Sequence, residues 1–404
     1  MSGIDQPARL EALDALRGFA LFGIFIVHMP ELFELYWAHP AEAPLQRLVH
    51  DAVWLVFAGK AFALLALCFG VSFFIIMDKA ARKGIDFTWR FAWRLGLLAL
   101  LGLAHGLWYR GDILEVLAIT GLFLLPFHRV ASNRVLLAVA IFLLMQPLMI
   151  ARIIAGLLGA HWANQPLAFW SASIPEVYLH GTFAETLYMN IVDGHRFKWL
   201  FMHESGRLSQ IIGLSLIGLL LGRAGFFERP DAFAGARAKG LVIALTCALL
   251  LYFANGPLSQ LVPASDAMFM PRSMAASLLG SLLDLSIMAV LMLGFLQLYH
   301  GGAQKMLGVL TPAGRMTLTL YVAQSLIFVP VFYGYGLGLH ASMNQVQALS
   351  LGLVAFAVQL VFAHLWFRRF HYGPLEWLWR AGTYLTLDVP FLKQRALPGS
   401  TTVA

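Results

Sequence analysis

Long apolar segments alternate with short charged clusters along the whole chain. A helix needs about 20 apolar residues to cross the hydrocarbon core of a bilayer, and ten segments approach or exceed that length. They lie at 14–29, 53–77, 91–108, 113–128, 135–158, 208–224, 240–254, 274–298, 313–332 and 347–367. The pattern predicts an all-α fold, a polytopic transmembrane helix bundle with about ten spans.

The composition excludes a soluble enzyme. Of the 404 residues, 60% are hydrophobic and 12% are charged, whereas soluble domains carry roughly 25% charged residues. The two cysteines, Cys68 and Cys247, both lie in apolar segments, so neither a disulfide framework nor a metal site is predicted. The polar start of the chain lacks the features of a cleavable signal peptide.

The positive charges divide unequally between the two sides of the predicted spans. With the N-terminus inside, 20 of the 28 Lys and Arg residues fall on one side. Because cytoplasmic loops are enriched in Lys and Arg, both termini are predicted to be cytoplasmic (N-in/C-in) and the number of spans to be even. The net charge of +7 is then a consequence of topology, and no nucleic-acid partner is predicted.

The first span carries ionisable residues on one face. Arg17 and His28 follow Asp14 by 3 and 14 residues, which places the three side chains within roughly 60° on a helix. Asp14 and Arg17 are predicted to pair at the cytoplasmic end, and His28 lies roughly 21 Å farther along. His39 follows eleven residues later. Two histidines on a short external element suit general-base catalysis, although interfacial or packing histidines would show the same pattern.

Three other ionisable residues lie within apolar segments, where a charge costs at least about 2.5 kcal/mol. Lys60 would lie roughly 13 Å deep, with Glu115 or Asp284 as its candidate partner. His105 lies deep in the third span, and Asp284 lies mid-span in the eighth. Each is equally compatible with a functional site and with polar contacts between helices.

A basic cluster follows the second span, within residues 79–94, and ends in Arg90 and Arg94. Positive-inside topology explains such a cluster, and a phosphate site is the alternative, because the guanidinium fork binds phosphate bidentately. The turn Arg110-Gly111-Asp112 most simply links two helices. On the external side, the long aromatic-rich loop 159–207 is a further candidate for function.

The order of several motifs resembles a known family. The chain contains LDALRGFALFGIFIVHM, GKAFALLALCFG, WRLGLLALLGLAHGLWYRGDIL, GRAGFF, GRMTLTLYVAQSLI, FYGYGLGL and GPLEWLWR, in that order. This series resembles the YeiB-like bacterial membrane proteins, the "domain of unknown function 418" (DUF418) family.

The resemblance implies a domain organisation and a location. Residues 1–390 would form a single integral membrane domain, with an N-terminal acyltransferase-like core at about 9–130 and a C-terminal YeiB-like region at about 207–384. Residues 391–404 would be a disordered tail. The location implied is the bacterial cytoplasmic (inner) membrane, with multiple passes.

YeiB-like proteins are similar in turn to the transmembrane acyltransferase superfamily, which includes lysosomal heparan-α-glucosaminide N-acetyltransferase and bacterial polysaccharide O-acyltransferases. The similarity implies transfer of an acyl group, first of all acetyl, from cytosolic acyl-CoA to an external acceptor: a sugar, a glycan or a small molecule. In the lysosomal enzyme an Asp-x-x-Arg-Gly helix is followed by an Asn fourteen residues after the Asp, and by the active-site His eleven residues later. By this resemblance His39 is catalytic, and His28 replaces the Asn, which is a departure from the pattern.

The resemblance also implies a donor site and partners. His28 or Lys60 would stabilise the tetrahedral oxyanion. The donor, acyl-CoA, would contact Asp14, Arg17, Arg90, Arg94 and His105. Direct transfer and transfer through an acyl-histidine are both open. The implied partners are the acceptor, membrane lipids and a second copy in a homodimer.

Two other classes of function share these sequence features. A transporter or lipid flippase also contains buried charges and a gating loop, but it cleaves no thioester. A non-catalytic scaffold has no reacting group. We expect His39→Ala to abolish transfer while the protein still folds, whereas in a scaffold the same replacement has no effect.

Overall fold

The computed structural model describes residues 10–35, 43–171 and 176–393. Within these ranges the structure is helical, apart from an isolated antiparallel bridge between Phe370 and Leu392. The prediction of an all-α protein is confirmed for this part of the chain. The α-helices are α1 (Glu11–His28), α2 (Pro44–Val56), α3 (Lys60–Arg82), α4 (Thr88–Trp108), α5 (Leu114–His128), α6 (Asn133–Leu144), α7 (Pro147–Leu157), α8 (Val177–His180), α9 (Phe183–Met189), α10 (His195–Glu204), α11 (Arg207–Ala224), α12 (Ala234–Ser259), α13 (Phe269–Leu298), α14 (Gln304–Leu307), α15 (Thr311–Arg315), α16 (Thr317–Phe332), α17 (Gln345–Arg369) and α18 (Pro374–Tyr384).

Short 3₁₀ and π turns connect some of these helices. The 3₁₀ turns are His161–Asn164, Ala168–Ser171, Asp231–Phe233, Asp266–Met268, Gly308–Leu310 and Leu339–Ala341, and the π turns are Asn190–Gly194 and Tyr299–Ala303. All ten predicted segments fall on helices, but three are broken. The segment 53–77 breaks between α2 and α3, at Gly59, which has a φ of 76°. The segment 135–158 breaks at Gln146, which has a φ of 55°, and the segment 313–332 breaks at Met316.

Six helical stretches of the described residues are long and apolar enough to cross a membrane. The pair α6 and α7, bent by 46°, adds a seventh if it forms one span, and α5 and α16 are shorter apolar helices. The six are Pro44–Arg82, Thr88–Trp108, Arg207–Ala224, Asp231–Leu258, Phe269–Arg315 and Gln345–Arg369. The helices are those of a multi-pass membrane protein, while the count of about ten spans stays a prediction.

Helix α1 occupies the centre of the bundle. Twelve of its 18 residues are buried, and it contacts α3, α13, α15, α16 and α17. Leu16 and Phe25 lie on opposite faces of the helix, and both are fully enclosed. An apolar surface on every side is typical of a helix in the interior. The residues at the two ends of α1 are therefore held on one rigid, central element.

Helices α3 and α11 pack with their backbones in contact. A Cβ at Gly70 would lie 1.9 Å from the backbone oxygen of Ser215, and one at Gly218 would lie 2.1 Å from that of Leu67. The Ser215 hydroxyl donates a hydrogen bond to the backbone oxygen of Ala66 (3.1 Å). Small residues at such contacts are typical of membrane helices, because close packing and polar contacts drive their association.

Helices α12 and α13 form a hairpin at the edge of the bundle and pack mainly against each other. The apolar side chains of Val242, Leu250 and Phe253 on α12 are exposed, as expected for a surface that faces lipid. Helix α13 contains 30 residues and also contacts α3 and α7. It therefore carries Asp284, near its middle, to the interior of the bundle.

The predicted loop 159–207 consists of short helices that cover the ends of α4 and α5. Asn190 donates a hydrogen bond to the backbone oxygen of Leu107 (2.9 Å) and accepts one from the Tyr178 hydroxyl (2.8 Å). The buried Lys198 ammonium binds the Glu115 carboxylate (2.5 Å). The segment is thus a folded cap, docked through polar contacts.

The first residues of the predicted tail pair with the segment that follows α17. The His371 amide donates to the backbone oxygen of Phe391 (2.9 Å), and the Lys393 amide donates to that of Arg369 (2.8 Å). The division into a membrane domain at 1–390 and a tail at 391–404 stays a prediction. Residues 394–404 lie outside the described residues.

Candidate functional site

Two adjoining cavities lie at the end of the bundle where α1 finishes. The larger, which we name the main cavity, has a volume of about 980 Å³. The residues that line it include His28, Glu31, Glu34, Arg110, Asp112 and Tyr321. The smaller, which we name the side cavity, has a volume of about 640 Å³. The residues that line it include Leu55, Met149, Leu167, Tyr252, Met274 and Ser281. Lys60, Arg207 and Asp284 belong to both walls.

His28 faces the main cavity with its side chain 20% exposed. Its Nδ1 lies 3.3 Å from a Glu31 carboxylate oxygen and 3.3 Å from the Tyr109 hydroxyl. The Tyr109 hydroxyl donates to Glu34 (3.1 Å), so its oxygen is left to accept from His28. We therefore assign the proton of the neutral imidazole to Nδ1. Nε2 then carries the lone pair, and it has no hydrogen-bond partner among the described residues.

Glu31 is the acidic partner of this histidine. Burial raises the pKa of Glu31 above its ordinary value of 4.5, and the hydrogen bond from His28 opposes that shift. The ionised carboxylate accepts a hydrogen bond from the Nδ1–H group and stabilises an imidazolium. A histidine held by a carboxylate at one nitrogen and open at the other is the arrangement of a general base.

The turn after His28 has a left-handed backbone. Leu32, Phe33 and Glu34 have φ angles of 53°, 51° and 73°, a conformation that costs roughly 1–2 kcal/mol per residue. The Phe33 amide donates to the backbone oxygen of His28 (2.8 Å), and the Tyr333 hydroxyl donates to that of Phe33 (3.3 Å). The Phe33 ring stacks on the His28 imidazole at 5.4 Å. Strain of this kind clusters at functional sites, where the surrounding contacts maintain it.

Arg110 fixes the turn from the opposite wall. Its Nε donates to the Glu34 carboxylate (2.8 Å), and its terminal NH2 donates to the Glu34 backbone oxygen (3.1 Å). Its guanidinium lies 5.0 Å from the Tyr178 ring and 5.4 Å from the Phe197 ring. Burial alone would lower the pKa of Arg110, but the Glu34 carboxylate and the nearby hydroxyls of Tyr333 and Tyr178 together outweigh burial, and the pKa is raised. Arg110 is therefore a permanent cation that joins the turn to the cap.

An ion cluster separates the two cavities. The Lys60 ammonium lies 2.6 Å from one Asp284 oxygen, and the Arg207 guanidinium lies 3.7 Å from the other. This confirms Asp284 rather than Glu115 as the partner of Lys60. Gly59, with a φ of 76°, precedes the lysine, and a Cβ there would lie 2.6 Å from the Arg207 guanidinium and 2.9 Å from the Asp284 carboxylate. Glycine is thus required by both the backbone conformation and the space.

His105 lies beneath the main cavity with both ring nitrogens engaged. Nδ1 lies 2.7 Å from the Asp112 carboxylate, and Nε2 contacts the Ser325 hydroxyl. Asp112 also accepts from the backbone amides of Leu114 (3.2 Å) and Glu115 (3.1 Å), so it caps the start of α5. His105 and Asp112 are therefore joined in a buried network that supports the cavity wall. The predicted contact of His105 with the donor stays a prediction.

The opposite end of α1 carries the second predicted group of residues. Arg17 pairs with Asp14 at 2.9 Å, as the spacing predicts, and it also donates to the Ser72 hydroxyl on α3. The Asp14 and Arg17 side chains are 13% and 24% exposed. They lie at the beginning of the same helix that ends in His28, roughly 21 Å away for 14 residues.

Arg90 and Arg94 lie against α18. The Arg94 guanidinium lies 3.6 Å from the Trp379 ring centre, and those of Arg90 and Arg380 lie 5.6 and 5.7 Å from that of Tyr384. Among the described residues none of the three arginines pairs with a carboxylate. The Nε of Arg380 is buried without a hydrogen-bond partner in this part of the chain. These three side chains, the arginine cluster, are suited to bind phosphate.

The structure therefore brings His28 and Lys60 to one cavity, and it places Asp14 with Arg17, and Arg90 with Arg94, elsewhere. His39 lies outside the described residues, so its role stays a prediction. The sequence pattern alone does not indicate a site role for Glu31, Glu34, Tyr109, Arg110, Asp112, Ser325 or Arg380. The available signal was the charged turn Arg110-Gly111-Asp112 between two apolar segments. In the described residues no group of three or more His, Cys, Asp and Glu side chains is placed to bind a metal ion.

Comparisons with known proteins give a consistent set of relatives. Residues 221–386 match the family described as "Protein of unknown function (DUF418)". The chain is 26% identical over 409 residues to "Uncharacterized protein YxaH" of Bacillus subtilis (strain 168), which covers 94% of this chain and 95% of the relative. It is 27% identical over 402 residues to "Uncharacterized 39.9 kDa protein in amylase 3' region" of Bacillus acidopullulyticus, which covers 98% and 100%. It is 28% identical over 395 residues to "Uncharacterized protein YeiB" of Escherichia coli (strain K12), which covers 91% and 94%.

Proposed function

Because this chain belongs to the YeiB-like DUF418 family, we propose that it is a membrane-bound acyltransferase. It transfers an acyl group from cytosolic acyl-CoA to a hydroxyl or amine of an acceptor on the external side. Acetyl is the acyl group that we expect. The observation that carries the proposal is the environment of His28. Its Nδ1 is fixed by Glu31 and Tyr109, its Nε2 has no hydrogen-bond partner in the described residues, and its side chain lines a cavity of about 980 Å³.

The proposed topology has about ten spans with both termini in the cytoplasm of a bacterium, so the membrane is the cytoplasmic one. The unequal division of Lys and Arg supports the orientation. Relatives from Bacillus and Escherichia coli, matched over most of their length, support the bacterial assignment. In this orientation the His28 cavity is external and the arginine cluster is cytoplasmic.

The arginine cluster is the proposed site of the donor phosphates. Arg90, Arg94 and Arg380 share the rings of Trp379 and Tyr384 and have no carboxylate partner in the described residues. The acyl-pantetheine arm would pass Arg17 and follow α1 through the bundle toward His28. In this proposal the donor phosphates stay on the cytoplasmic side, and the thioester reaches the external acceptor through the bundle.

The proposed reaction needs one base. The acceptor O–H or N–H gives its proton to His28 Nε2 while its oxygen or nitrogen bonds to the thioester carbonyl carbon. The C–S bond of the tetrahedral intermediate then breaks, and the proton on Nε2 passes to the leaving CoA sulfur. Glu31 stabilises the transient imidazolium. The products are an ester or amide and CoA thiol, and a transient acyl group on His39 is the alternative route.

Replacement of His28 by Asn tests the chemistry. Asn is the residue at this position in the resembling lysosomal enzyme, so a purely orienting role would survive His28→Asn. A general base would not, and we expect acetyl transfer to fall about 10² to 10⁴-fold. The assay is CoA thiol release from acetyl-CoA in membrane vesicles that contain native acceptors. The control is His364→Asn, an exposed histidine of α17. Full activity of His28→Asn would refute the role of His28, and full activity of His39→Ala would exclude the acyl-histidine route.

Donor binding is tested on the purified protein by calorimetry and thermal shift. We expect acetyl-CoA to bind more tightly than acetyl-pantetheine, which lacks the nucleotide phosphates, and the double variant Arg90→Ala/Arg94→Ala to remove this difference. The control is Arg82→Ala, a 77% exposed arginine that pairs with Asp78 before α4. Equal affinity of the two donors in the wild-type protein would contradict the arginine cluster as the phosphate site.

A transporter is the second candidate, and the adjoining cavities support it. Their common wall is the cluster of Lys60, Arg207 and Asp284, and buried charges of this kind mark transport pathways. A transporter would bind no acyl-CoA and would release no CoA thiol. Absence of both in a folded sample would therefore favour transport or lipid flipping over acyl transfer.

A further inference from the structure

The ion cluster between the cavities contains two cations and one carboxylate. The remaining contacts of the cations are with neutral groups: Lys60 donates to the backbone oxygen of Trp54 (3.1 Å), and Arg207 donates to the Gln210 amide oxygen (3.3 Å). The Lys60 side chain is only 5% exposed, and those of Arg207 and Asp284 are 21% and 22% exposed. Over the described residues the cluster thus holds one positive charge in excess, which is costly in a poorly solvated place.

Two other carboxylates of the cavity walls are engaged elsewhere, and Asp51, on the wall of the side cavity, is 80% exposed beside His50. Glu34 is bound by Arg110 (2.8 Å). Glu204 accepts from the Phe169 backbone amide (3.1 Å) and lies 3.8 Å from Arg152. These groups therefore do not supply the missing negative charge, and an anion that enters the cavities would complete the cluster.

Beside this cluster, the wall of the side cavity contains a polar part, formed by His50, Asp51, Glu204 and three serines, and an apolar part. The apolar part is formed by side chains such as Leu55, Met149, Leu167, Met274 and Leu283. Leu55 and Tyr252 are also 44% and 55% exposed on the outer surface. Tyr252 belongs to α12, whose outward side chains are those expected to face lipid. The side cavity is therefore accessible from the hydrocarbon layer, and hydrocarbon is the material that the apolar part of its wall fits.

We propose that the side cavity binds an anionic, phosphate-bearing amphiphile. Its phosphate lies against Lys60 and Arg207, which fits the preference of a guanidinium for phosphate, and its hydrocarbon chain lies along the apolar wall. Because the cluster also lines the main cavity, the polar head of such a molecule extends toward His28. This inference rests on the proposed function where it identifies the amphiphile as the acceptor. The acceptor class is then a lipid-linked hydroxyl or amine rather than a free sugar.

Binding of defined probes to the purified protein in a neutral maltoside detergent tests the site. The probes are lysophosphatidylglycerol (chain and net negative charge), lysophosphatidylcholine (chain and phosphate without net charge) and inorganic phosphate (charge without a chain). Saturable binding raises the unfolding temperature, since a ligand of the native state stabilises it. We expect a saturable shift with lysophosphatidylglycerol and none with the other two. A shift with inorganic phosphate alone would reduce the site to a free-phosphate site.

Charge variants then distinguish this site from nonspecific adsorption. We expect Lys60→Met to weaken lysophosphatidylglycerol binding about tenfold or more, which corresponds to about 1.4 kcal/mol, and Asp284→Asn to strengthen it. Arg207→Lys keeps the charge and is expected to bind with intermediate affinity, so it reports on the site even if Lys60→Met folds poorly. The matched control is Lys239→Met, which changes the net charge equally at an exposed position of α12. Unchanged binding in both Lys60→Met and Arg207→Lys would overturn the proposal.

This test is independent of acyl transfer. It contains no acyl-CoA, whereas the test of the proposed function reads CoA thiol release and donor binding. A protein that binds acyl-CoA but no anionic amphiphile would overturn only this inference. One that binds the amphiphile but no acyl-CoA would overturn the acyltransferase proposal and leave a lipid site.

Discussion

Asp112 is a buried residue whose replacement we expect to destabilise the protein. It is fully buried and accepts three hydrogen bonds: from His105 Nδ1 (2.7 Å) and from the amides of Leu114 (3.2 Å) and Glu115 (3.1 Å). In Asp112→Asn one carboxylate oxygen becomes an NH2 group. At least one of the three donors then faces another donor instead of an acceptor.

The expected cost follows from these contacts. A buried donor left without a partner costs about 1–3 kcal/mol, and a hydrogen bond to a charged group contributes about 1.5–3 kcal/mol. Because the NH2 group keeps some of the contacts, we expect the free energy of unfolding to fall by about 2–4 kcal/mol. The measurement is equilibrium unfolding in mixed micelles, followed by tryptophan fluorescence.

The control is Asp86→Asn, which makes the same chemical change at an exposed position where Asp86 accepts from the Thr88 amide (2.9 Å). We expect it to change the free energy of unfolding little. A double-mutant cycle with His105→Gln should show a coupling of at least about 1 kcal/mol with Asp112→Asn, as is usual for residues in one network. If Asp112→Asn were no more destabilising than Asp86→Asn, the buried network would not support the cavity wall.

Three other predictions follow from packing and charge. Lys198→Met, which leaves the carboxylate of Glu115 without its ammonium, should destabilise the protein by about 3–5 kcal/mol, and Lys198→Met/Glu115→Gln should recover most of the loss in the same unfolding assay. Gly70→Ala should destabilise the protein by at least about 1–3 kcal/mol, because its Cβ would lie 1.9 Å from the facing backbone. The control Gly96→Ala, where a Cβ would have nothing within 4 Å, should be neutral or stabilising. Equal melting temperatures for the two variants would contradict the packing. Hydrogen bonds from the backbone amide and side chain of Thr182 hold the pKa of Glu185 below its ordinary value of 4.5. The stabilisation of α9 by Glu185 is therefore present at neutral pH and is lost as the pH falls below about that value. Hydrogen exchange of α9 should show this loss in the wild type and not in Glu185→Gln.

The parts of the fold that follow from local chemistry were predictable from the sequence. Apolar segments form helices because in lipid every backbone polar group must be satisfied within the segment. The pair of Asp14 and Arg17 follows from a spacing of three residues on one helix. The breaks at Gln146 and Met316 lie within continuous apolar segments, so the composition gave no sign of them.

The candidate site depends on contacts that no local pattern contains. Lys60 had two candidate partners, and only the packing of α13 against α3 selects Asp284, more than 200 residues away. Arg380 is likewise distant in sequence from Arg94. The left-handed turn that begins at Leu32 contains no glycine, so turn propensities do not predict it. It forms because Arg110 and Tyr333, from two other parts of the chain, hold it.

The length of α13 links the candidate lipid site to the membrane itself. Thirty residues measure about 45 Å, whereas the hydrocarbon core of a bilayer measures about 30 Å. A helix with such a positive hydrophobic mismatch tilts, or extends beyond the core, and its tilt changes with bilayer thickness. Asp284 lies near the middle of this helix, opposite Lys60 and Arg207 on two other helices. A thicker or thinner bilayer is therefore expected to move the carboxylate relative to the two cations. The acyl-chain length of the host lipids would then change the distances within the ion cluster.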